Sequence, residues 1–558
     1  MQEYFKELIK EILDKKLSKE KVSGLKNKLA LKYKLKKPPT NTEVLLNAQL
    51  KDLPRLKKIL LTKPIRTMSG VAVIALMTQP HKCPHGKCVM CPGGIGSAFG
   101  DVPQSYTGKE PATMRGIRNK YDPYLQVFNR LEQYTVLGHQ FDKIELIIMG
   151  GTFPSFPKKY KEDFIKYSFK ALNDFSKIFF KKNELDIVKF KQFFELPGDI
   201  NSRKRINSIQ IRILNLKNKK TSLEKEQLIN ETAKIRCVGL TIETRADYGR
   251  LKHGNEMLRL GATRVEIGIQ SVYNDVLKKI HRGHAVEDTI ESVRILKDFG
   301  FKINAHYMPG LIEDRKRDLE GMKQLFENPD FRPDMLKIYP CMVLKGTKLF
   351  DLYKNGRFKP ITTKEAAELI AEFKKYIPEY CRVMRVQRDI PPKQAEAGVE
   401  RSNLRQYVQK IMEKKNIRCR CIRCREVGRA KNIGKPFISI YTYKASNGTD
   451  FFISIMDKYN NLFGFCRVRF PSEYLRKEIT KESVLIRELH VYGQLTEIGK
   501  KGKFQHKGFG KILLEKAEEI ARKNKKNRMV VISGVGAREY YRKLGYKRQG
   551  VYMVKLLS

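Results

Sequence analysis

The chain has 558 residues, in which 112 Lys and Arg face 60 Asp and Glu, so its formal net charge at pH 7 is +52. This length predicts two to four domains, and a basic excess spread along the chain favours a polyanionic partner, most simply nucleic acid, over a uniformly Lys-rich proteome. No run of about 18 apolar residues and no apolar signal core is found, which argues against a membrane protein. Ten cysteines, in two clusters plus singles, predict metal ligation in a reducing cytoplasm.

Residues 1–68 predict a basic helical segment. They contain 18 Lys and Arg against 7 acidic residues, and apolar side chains recur at a helical period through Tyr4, Leu8 and Ile12. Two interpretations fit equally well. One is a small helical cap with a solvated basic face, and the other is an arm that binds nucleic acid.

Residues 69–380 predict an α/β domain in which short apolar strands alternate with amphipathic helices. The six strand candidates are 70–77, 143–149, 237–242, 264–269, 301–307 and 335–339. This alternation is typical of a parallel sheet with helices outside, and six units predict a partial barrel. Chemistry is expected where the strands end in loops, and there the sequence has Gly150, Gly151 and Gln270. A Lys/Phe-rich insertion at 156–220 is predicted to be a helical surface elaboration without an assigned role.

Three thiols lie close together after the first predicted strand. Cys83, Cys88 and Cys91 have the spacing C-x4-C-x2-C. Thiolates spaced in this way at a strand end can each take one iron of a [4Fe–4S] cluster and leave the fourth iron open for a substrate. The alternatives are a zinc knuckle, for which His81 or His85 would have to supply the fourth ligand, and a disulfide remnant.

Residues 381–434 predict a linker that carries a second cysteine group with the spacing C-x-C-x2-C. The group consists of Cys419, Cys421 and Cys424. Such tight spacing predicts zinc, with Cys341 as the first choice of fourth ligand and Cys381 as the second, against the alternative of free reduced cysteines. The arginines between these cysteines would present positive charge to a phosphate backbone.

Residues 435–558 predict an α+β domain. Its strand candidates are 437–443, 451–456, 463–469, 483–491 and 530–533. A turn containing Gly508 and Gly510 opens the amphipathic helix 511–523, and the free backbone N–H groups at such a turn suit a pyrophosphate. With the tail around Tyr540 and Tyr541, this pattern predicts a domain that binds an acyl-CoA.

Two resemblances follow from these motifs. The first cysteine group and the broken barrel resemble the radical S-adenosylmethionine enzymes, with one residue more than their usual C-x3-C-x2-C spacing. The C-terminal part resembles the GNAT acetyltransferases: Gln505, Gly508 and Gly510 fit their pyrophosphate loop, and Tyr540 and Tyr541 fit their helix near the acetyl thioester. Together with the motifs at 385–391, 488–493 and 504–510, residues 70–558 resemble the family of Elongator catalytic subunits, and the second cysteine group resembles that of its zinc-bearing prokaryotic form.

This resemblance implies a tRNA-modifying enzyme that uses acetyl-CoA and S-adenosylmethionine to install a carboxymethyl group at C5 of wobble uridine 34. Uridine C5 is a poor nucleophile, so ordinary acyl transfer forms that carbon–carbon bond poorly, whereas a radical made from the acetyl methyl group can add to it. The implied cofactor-binding residues are Gly150, Gly151, Gln270, Gln505, Gly508, Gly510, Tyr540 and Tyr541, the two tyrosines being also the catalytic candidates. The implied partner is the anticodon stem-loop of tRNA, whose single-stranded bases are inexpensive to unstack; homodimerisation and accessory subunits stay open.

The chemistry needs one shared cavity, so the cluster and the CoA loop are expected to face each other across the boundary between the two domains. Two other functions remain as alternatives. One is a protein lysine acetyltransferase with a non-catalytic iron–sulfur domain, which would need only residues 435–558. The other is a tRNA-binding scaffold that only hydrolyses acetyl-CoA.

Overall fold

The computed structural model describes six stretches of the chain, which are 1–49, 51–60, 70–199, 202–430, 432–492 and 508–557. A search of these stretches finds no helix that combines the length and the apolar character needed to cross a bilayer. The described residues form an N-terminal helical unit, a half barrel of parallel strands, and a C-terminal α+β unit built on a second sheet.

Four helices make up the N-terminal unit: α1 (Gln2–Asp14), α2 (Lys19–Lys32), α3 (Asn41–Asn47) and α4 (Leu53–Leu60). Tyr4, Leu8 and Ile12 lie on the buried face of α1, which confirms the predicted helical period. They pack with Val44 and Leu56 in an apolar cluster that is separate from the main core. The unit therefore has a small core of its own, and most of its lysines lie on the surface.

The half barrel is a seven-stranded sheet whose order follows the chain, and every neighbouring pair is parallel. Its strands are β1 (Ala72–Met77), β2 (Lys143–Met149), β3 (Arg236–Thr244), β4 (Arg264–Gln270), β5 (Lys302–Tyr307), β6 (Met335–Ile338) and β7 (Arg382–Arg385). The six predicted strands are confirmed, and β7 is an addition that the sequence did not reveal. Its residues, Arg-Val-Met-Arg, are too short and too charged to stand out as a buried strand.

Helices cover the outside of this sheet and continue into the linker. They are α5 (Pro111–Arg118), α6 (Pro123–Val136), α7 (Lys158–Phe179), α8 (Ile187–Phe193), α9 (Arg203–Lys217), α10 (Leu223–Asn230), α11 (Leu251–Arg259), α12 (Asn274–Lys279), α13 (Val286–Asp298), α14 (Arg315–Glu327), α15 (Lys348–Lys354), α16 (Thr363–Phe373), α17 (Leu404–Lys414) and α18 (Ile422–Arg425). Two-stranded ribbons pair Gly94–Ser97 with Gly100–Val102, Phe180–Lys181 with Glu184–Leu185, and Val343–Leu344 with Ala395–Ala397.

The insertion at 156–220 is helical, as expected, but it is more than a surface elaboration. The 22-residue helix α7 buries Phe164, Phe169, Phe175 and Phe179, and these side chains belong to the same core as the barrel. The Phe content that looked unusual in the sequence is the apolar face of a helix that covers the sheet. The insertion thus supplies part of the barrel's core.

The C-terminal unit has a seven-stranded mixed sheet and two helices. Its strands are β8 (Phe437–Ala445), β9 (Gly448–Met456), β10 (Leu462–Phe470), β11 (Ser483–Val491), β12 (Arg528–Val531), β13 (Lys547–Gln549) and β14 (Tyr552–Leu556), in the order β8-β9-β10-β11-β12-β14-β13. The helices are α19 (Phe509–Lys523) and α20 (Arg538–Arg542). The predicted α+β arrangement is confirmed. Only β11 and β12 are parallel, and their pairing stops at Ile486 and Val531, so the strands separate beyond that point.

The C-terminal unit packs on the half barrel at the end where the parallel strands begin. Arg487 of β11 donates to the Phe301 carbonyl just before β5 at 2.7 Å, and Tyr552 Oη donates to the Phe299 carbonyl at 2.9 Å. At Gly534, an added Cβ would lie 2.1 Å from the Val238 carbonyl oxygen of β3, so only glycine fits there. The cluster loop lies at the opposite end of the barrel, after the end of β1. The expectation that the two reactive sites face each other across the domain boundary is therefore wrong.

Buried ion pairs hold this interface. Arg469 Nε lies 2.7 Å from Asp298 Oδ1, Arg487 pairs with Asp334, and Lys297 Nζ lies 3.1 Å from Asp450 Oδ2. Every one of these side chains is at most 2% exposed. Because breaking a buried pair leaves an uncompensated charge, the network favours one fixed arrangement of the two units.

Candidate active site

The loop after β1 holds Cys83, Cys88 and Cys91 around one end of a cavity. The His85 ring lies between the first two, with Nδ1 3.0 Å from Cys83 Sγ and Nε2 3.2 Å from Cys88 Sγ. The three Sγ atoms do not all lie within 4.8 Å of one another, in contrast to the second cysteine group. Tetrahedral zinc with Zn–S bonds of about 2.3 Å would hold its thiolates at about 3.8 Å. The wider spacing fits three corners of a cluster better than one shared ion.

Cationic and polar groups surround these thiols, as an anionic iron–sulfur cluster requires. Arg245 Nη1 lies 3.9 Å from Cys83 Sγ, Arg282 Nη1 lies 3.6 Å from Cys88 Sγ, and Gln104 Nε2 donates to Cys91 Sγ at 3.0 Å. Burial raises the pKa of the Cys83 and Cys88 thiols, and the two guanidiniums oppose part of that rise. Bound iron would hold the thiols as thiolates. The donor set and its charge therefore fit a [4Fe–4S] cluster.

The cavity beside this loop opens where the barrel strands end, and its empty space, open solvent included, is about 1200 Å³. Gly151 and Gln270 line it, as predicted. Gly150 does not line it, but a Cβ there would meet Thr78 Oγ1 at 2.1 Å, so this glycine permits β1 and β2 to end side by side. Gln270 has a left-handed backbone with φ 69°, and its buried Oε1 has no hydrogen-bond partner. A strained residue with a free polar atom at this position suits ligand binding.

A charged floor, which the sequence analysis missed, lies below the cluster loop. Glu266 receives hydrogen bonds from Lys337, from Asn304 Nδ2 at 3.0 Å, and from the ring of His306 at 3.0 Å. Burial opposes the charge on Glu266, but Lys337 and His306 hold its pKa well below the usual value. Burial likewise opposes the charge on Lys337, and Glu266 raises its pKa. The floor therefore keeps a carboxylate and an ammonium in a buried site.

The signal for this floor was available in the sequence. Strands that are buried on both faces of a parallel sheet are expected to read as continuous apolar runs. Glu266, His306 and Lys337 interrupt three predicted strands with charged or titratable side chains, and Glu243 directly follows a fourth. Charged positions inside such strands should have been assigned to the barrel interior.

The second cysteine group is compact, and Cys419, Cys421 and Cys424 hold their Sγ atoms within 4.8 Å of one another. Lys374 is 3% exposed, faces the three thiols, and its Nζ has no hydrogen-bond partner. Three sulfur donors at this spacing beside a buried cation fit a zinc ion and its thiolates.

The structure does not bring Cys341 to this group. Its thiol packs near Val89 and Met308 in the cluster that contains Cys88 and Cys91, on the iron–sulfur side of the barrel. Cys341 follows β6, whose end points toward the cluster loop, whereas the linker cysteines lie near the start of β7. Cys381 is nearer, since its carbonyl accepts from Ile422 N at 2.9 Å, but among the described residues neither thiol joins the compact group.

The predicted acyl-CoA residues divide into two sets. Gly508 is the N-cap of α19 with φ 84°, and an added Cβ there would meet no atom of the described residues within 4 Å. A Cβ at Gly510 would lie 2.6 Å from Tyr540 Oη, which places that tyrosine beside the helix start. Tyr541 is buried and lines a separate cavity between the two units, whereas Tyr540 is 42% exposed. Gln505 lies outside the described residues.

This interdomain cavity occupies the space where β11 and β12 separate, and its empty space is about 1480 Å³ with open solvent included. Glu488 and His490 line it from β11 and Tyr492 from the position just after that strand, while Lys302 and Arg382 line it from the barrel. Burial lowers the pKa of His490, and its Nε2 has no hydrogen-bond partner among the described residues. The cavity can therefore hold a ligand with both apolar and polar parts.

The fold and these two sites define a radical S-adenosylmethionine enzyme joined to a GNAT acyltransferase. The Radical SAM superfamily model matches residues 80–326, the Radical_SAM C-terminal domain model 333–414, and the Acetyltransferase (GNAT) family model 429–546. The ELP3 N-terminal domain model matches residues 1–68.

Comparison with similar proteins identifies the family within this class of enzymes. The chain is 46% identical to the "tRNA uridine(34) acetyltransferase" of Methanocaldococcus infernus, over 97% of this chain and 96% of that protein. It is 40% identical to human "Elongator complex protein 3", over 96% of this chain and 93% of that protein. A solved structure of the Methanocaldococcus infernus protein lacking residues 1–46 has a TM-score of 0.71 and 42% identity, covering 88% of this chain and 100% of that one. The chain belongs to the Elongator complex protein 3 family.

Proposed function

We propose that this protein modifies uridine 34 of tRNA, and that it installs a carboxymethyl group at C5 from acetyl-CoA. The observation that supports this proposal is the presence, in one rigid molecule, of a cluster loop at one end of the barrel and an acyl-CoA cavity at the other. An acetyltransferase acting on lysine would need only the second. The relatives named above as tRNA uridine(34) acetyltransferases support tRNA as the substrate.

Cys83, Cys88 and Cys91 would hold the cluster, and Gly151 and Gln270 would line the S-adenosylmethionine site beside it. A reduced cluster with S-adenosylmethionine supplies the hydrogen-abstracting power that carbon–carbon bond formation at C5 requires. Arg245 and Arg282 offset the negative charge of the cluster. Lys337, kept protonated by Glu266, lines the same cavity and can donate a hydrogen bond to a carbonyl oxygen of an extruded base.

The acyl donor would lie in the interdomain cavity, with its pyrophosphate at the start of α19. Removal of CoA after the new bond forms requires hydrolysis of the thioester. His490 suits the role of general base, because burial lowers its pKa and so favours a neutral imidazole, whose Nε2 has no hydrogen-bond partner among the described residues. Tyr541, on α20, lies in the wall of the same cavity and would help to position the thioester.

The test is nucleoside analysis of tRNA after anaerobic incubation with acetyl-CoA, with and without S-adenosylmethionine and a reductant. Carboxymethyluridine should form only when all components are present. Acetylation of protein lysines without S-adenosylmethionine, together with unmodified tRNA, would favour the lysine acetyltransferase. Hydrolysis of acetyl-CoA with unmodified tRNA would favour the scaffold.

We propose further that residues 1–68 bind tRNA through its phosphates. The 18 basic residues of this segment and its separate core support a basic unit that acts as one body. Each phosphate contact should contribute roughly 0.7–0.9 to the slope of log affinity against log salt. Deletion of the segment should weaken binding and flatten that slope in filter-binding assays at several salt concentrations. A truncated protein with the full slope and affinity would show that the segment is only a cap.

A further inference from the structure

The interior of the half barrel is polar, unlike the interior of a closed barrel. Inward-facing positions in closed (β/α) barrels are filled by layers of branched apolar side chains. Here the inner face of β3 to β6 is charged or polar, whereas β1 and β2 contribute mainly apolar side chains. The polar set is Gly239, Thr241, Glu243, Arg264, Glu266, Asn304, His306 and Lys337.

The two cavities described above meet inside this barrel. Each strand contributes its first inward residues to the interdomain cavity and its later ones to the cluster cavity. On β4, Arg264 lines the former and Glu266 the latter; on β1, Val73 lines both. Val73, Glu145, Gly239, Arg264 and Glu266 form the layer of the barrel interior that lies between the two cavities, and we call this layer the lumen passage.

Arg264 belongs to this layer, lines the interdomain cavity, and is only 4% exposed. Its Nη2 is 2.7 Å from Glu145 Oε1 and 3.4 Å from Glu266 Oε1. One guanidinium therefore contacts a carboxylate that lines the interdomain cavity and another that lines the cluster cavity. These contacts are poorly aligned, because neither Nε nor Nη2 makes a hydrogen bond. A buried guanidinium with two unsatisfied nitrogens is costly unless another acceptor occupies them.

Two more buried polar atoms of this cavity have no partner among the described residues. Thr263 Oγ1 and His490 Nε2 both belong to residues that line the interdomain cavity. The interdomain cavity therefore offers polar groups of Arg264, Thr263 and His490 beside an apolar wall at Val73. This lining suits a flexible ligand that has a carbonyl group and amides spaced along methylene units. The pantetheine arm of an acyl-CoA has this chemistry.

We propose that the lumen passage carries the acetyl-pantetheine arm from the interdomain cavity to the cluster cavity, and that Arg264 is its gate. The arm's thioester carbonyl accepts from the unsatisfied nitrogens of Arg264, which releases Glu145 and Glu266 and opens the passage. The acetyl methyl group then reaches the cluster end of the barrel. This inference rests on the proposed function, because only radical chemistry requires the methyl group to travel there.

A plug at Gly239, which lines the interdomain cavity and not the cluster cavity, tests the proposal without altering the cluster end. A Cβ at Gly239 would meet Glu145 Cγ at 3.6 Å and Thr263 Oγ1 at 3.8 Å, so alanine fits without strain and a longer side chain extends into the lumen. With methyl-deuterated acetyl-CoA, the natural protein should transfer deuterium into 5′-deoxyadenosine. Gly239→Leu should lower that transfer at least tenfold while it retains the iron content and melting temperature of the matched Gly239→Ala variant.

The outcomes separate the two proposals. Absence of deuterium transfer in the natural protein would overturn the proposed function and the passage together. Transfer in the natural protein and equal transfer in a folded Gly239→Leu variant would overturn the passage alone. If Gly239→Leu fails to fold, Gly239→Val takes its place, and the same two readings decide.

The gate has a separate test that needs neither cluster nor turnover. Isothermal titration of acetyl-CoA and of free CoA gives the preference for the acylated form. Loss of a charge-assisted hydrogen bond to the carbonyl should lower that preference roughly tenfold in Arg264→Leu and less in Arg264→Lys. An unchanged preference in a folded Arg264→Leu variant would show that Arg264 does not contact the acyl group.

Discussion

The two cysteine groups of this chain contain the same ligand type and a similar spacing, yet the structure holds them differently. Cys83, Cys88 and Cys91 are spread around His85 in a cavity, and arginines and an amide are directed at their sulfurs. The linker cysteines, Cys419, Cys421 and Cys424, are compact and face one buried lysine.

The difference follows from where each group lies. The first belongs to a loop at the open end of a barrel, where a reactive metal group can meet substrates. The second cysteine group connects α17 and α18 to the start of β7. It lies beside the interface between the half barrel and the C-terminal unit. Spread thiols with several cationic neighbours suit an exposed cluster, and compact thiols in a linker suit one structural ion. The same residue type therefore serves chemistry in one region and stability in the other.

The largest expected effect comes from removal of the first group. Substitution of Cys83, Cys88 and Cys91 by alanine should abolish the roughly four irons of a reconstituted cluster and all reductive cleavage of S-adenosylmethionine. Zinc content and acetyl-CoA affinity should be unchanged, since the linker cysteines and the interdomain cavity lie elsewhere. Elemental analysis after anaerobic reconstitution measures both metals.

Cys237→Ala is the matched control, because Cys237 is buried in β3 and belongs to neither group. It should keep the full iron content. Retention of four irons in the triple variant would contradict the cluster assignment.

Much of this comparison could be predicted from the sequence, and the remainder depended on contacts between distant residues. Spacing identified both cysteine groups, and apolar alternation located six of the seven barrel strands. Cys341 was misplaced because the end of β6 points away from the linker, which spacing alone cannot reveal. Lys337 was missed although its charge inside a predicted strand was a signal, whereas the role of Arg264 depends on strand register, which brings it opposite Thr241.

The second prediction concerns the linker group. Cys421 is fully buried, so Cys421→Ser should release zinc and leave the Lys374 ammonium without its thiolate counter-charges. The free energy of unfolding should fall by about 3–5 kcal/mol, the range for breaking a buried charge pair. Cys341→Ser should keep its zinc, because its thiol lies on the cluster side of the barrel. Zinc content and denaturant unfolding are measured for both variants. If Cys341→Ser loses its zinc and Cys421→Ser keeps it, Cys341 and not Cys421 is the zinc ligand.

A smaller effect is expected from the neighbouring cation. Lys374→Met keeps the length and apolar stem of the side chain but removes the charge that faces Cys419, Cys421 and Cys424. Since groups around metal ligands typically contribute 10–100-fold to metal affinity, zinc should bind roughly tenfold more weakly. Competition with a chromogenic chelator measures the affinity, and Lys375→Met, one residue along and on the surface, is the control. Equal affinities in the two variants would show that the charge of Lys374 does not support the site.

The smallest expected effect concerns the hydrogen bond from Gln104 to Cys91. An N–H donor to a cluster sulfur stabilises the more negative, reduced form, so Gln104→Leu should make the cluster's potential more negative. A bond worth about 1 kcal/mol corresponds to a shift of about 40 mV, given 59 mV per tenfold for one electron. Redox titration followed by electron paramagnetic resonance measures the shift. Thr152→Val is the graded comparison, because Thr152 Oγ1 lies farther from its sulfur, 3.7 Å from Cys83, and should shift the potential less. A larger shift in Thr152→Val than in Gln104→Leu would mean that hydrogen-bond distance does not set the potential at this cluster.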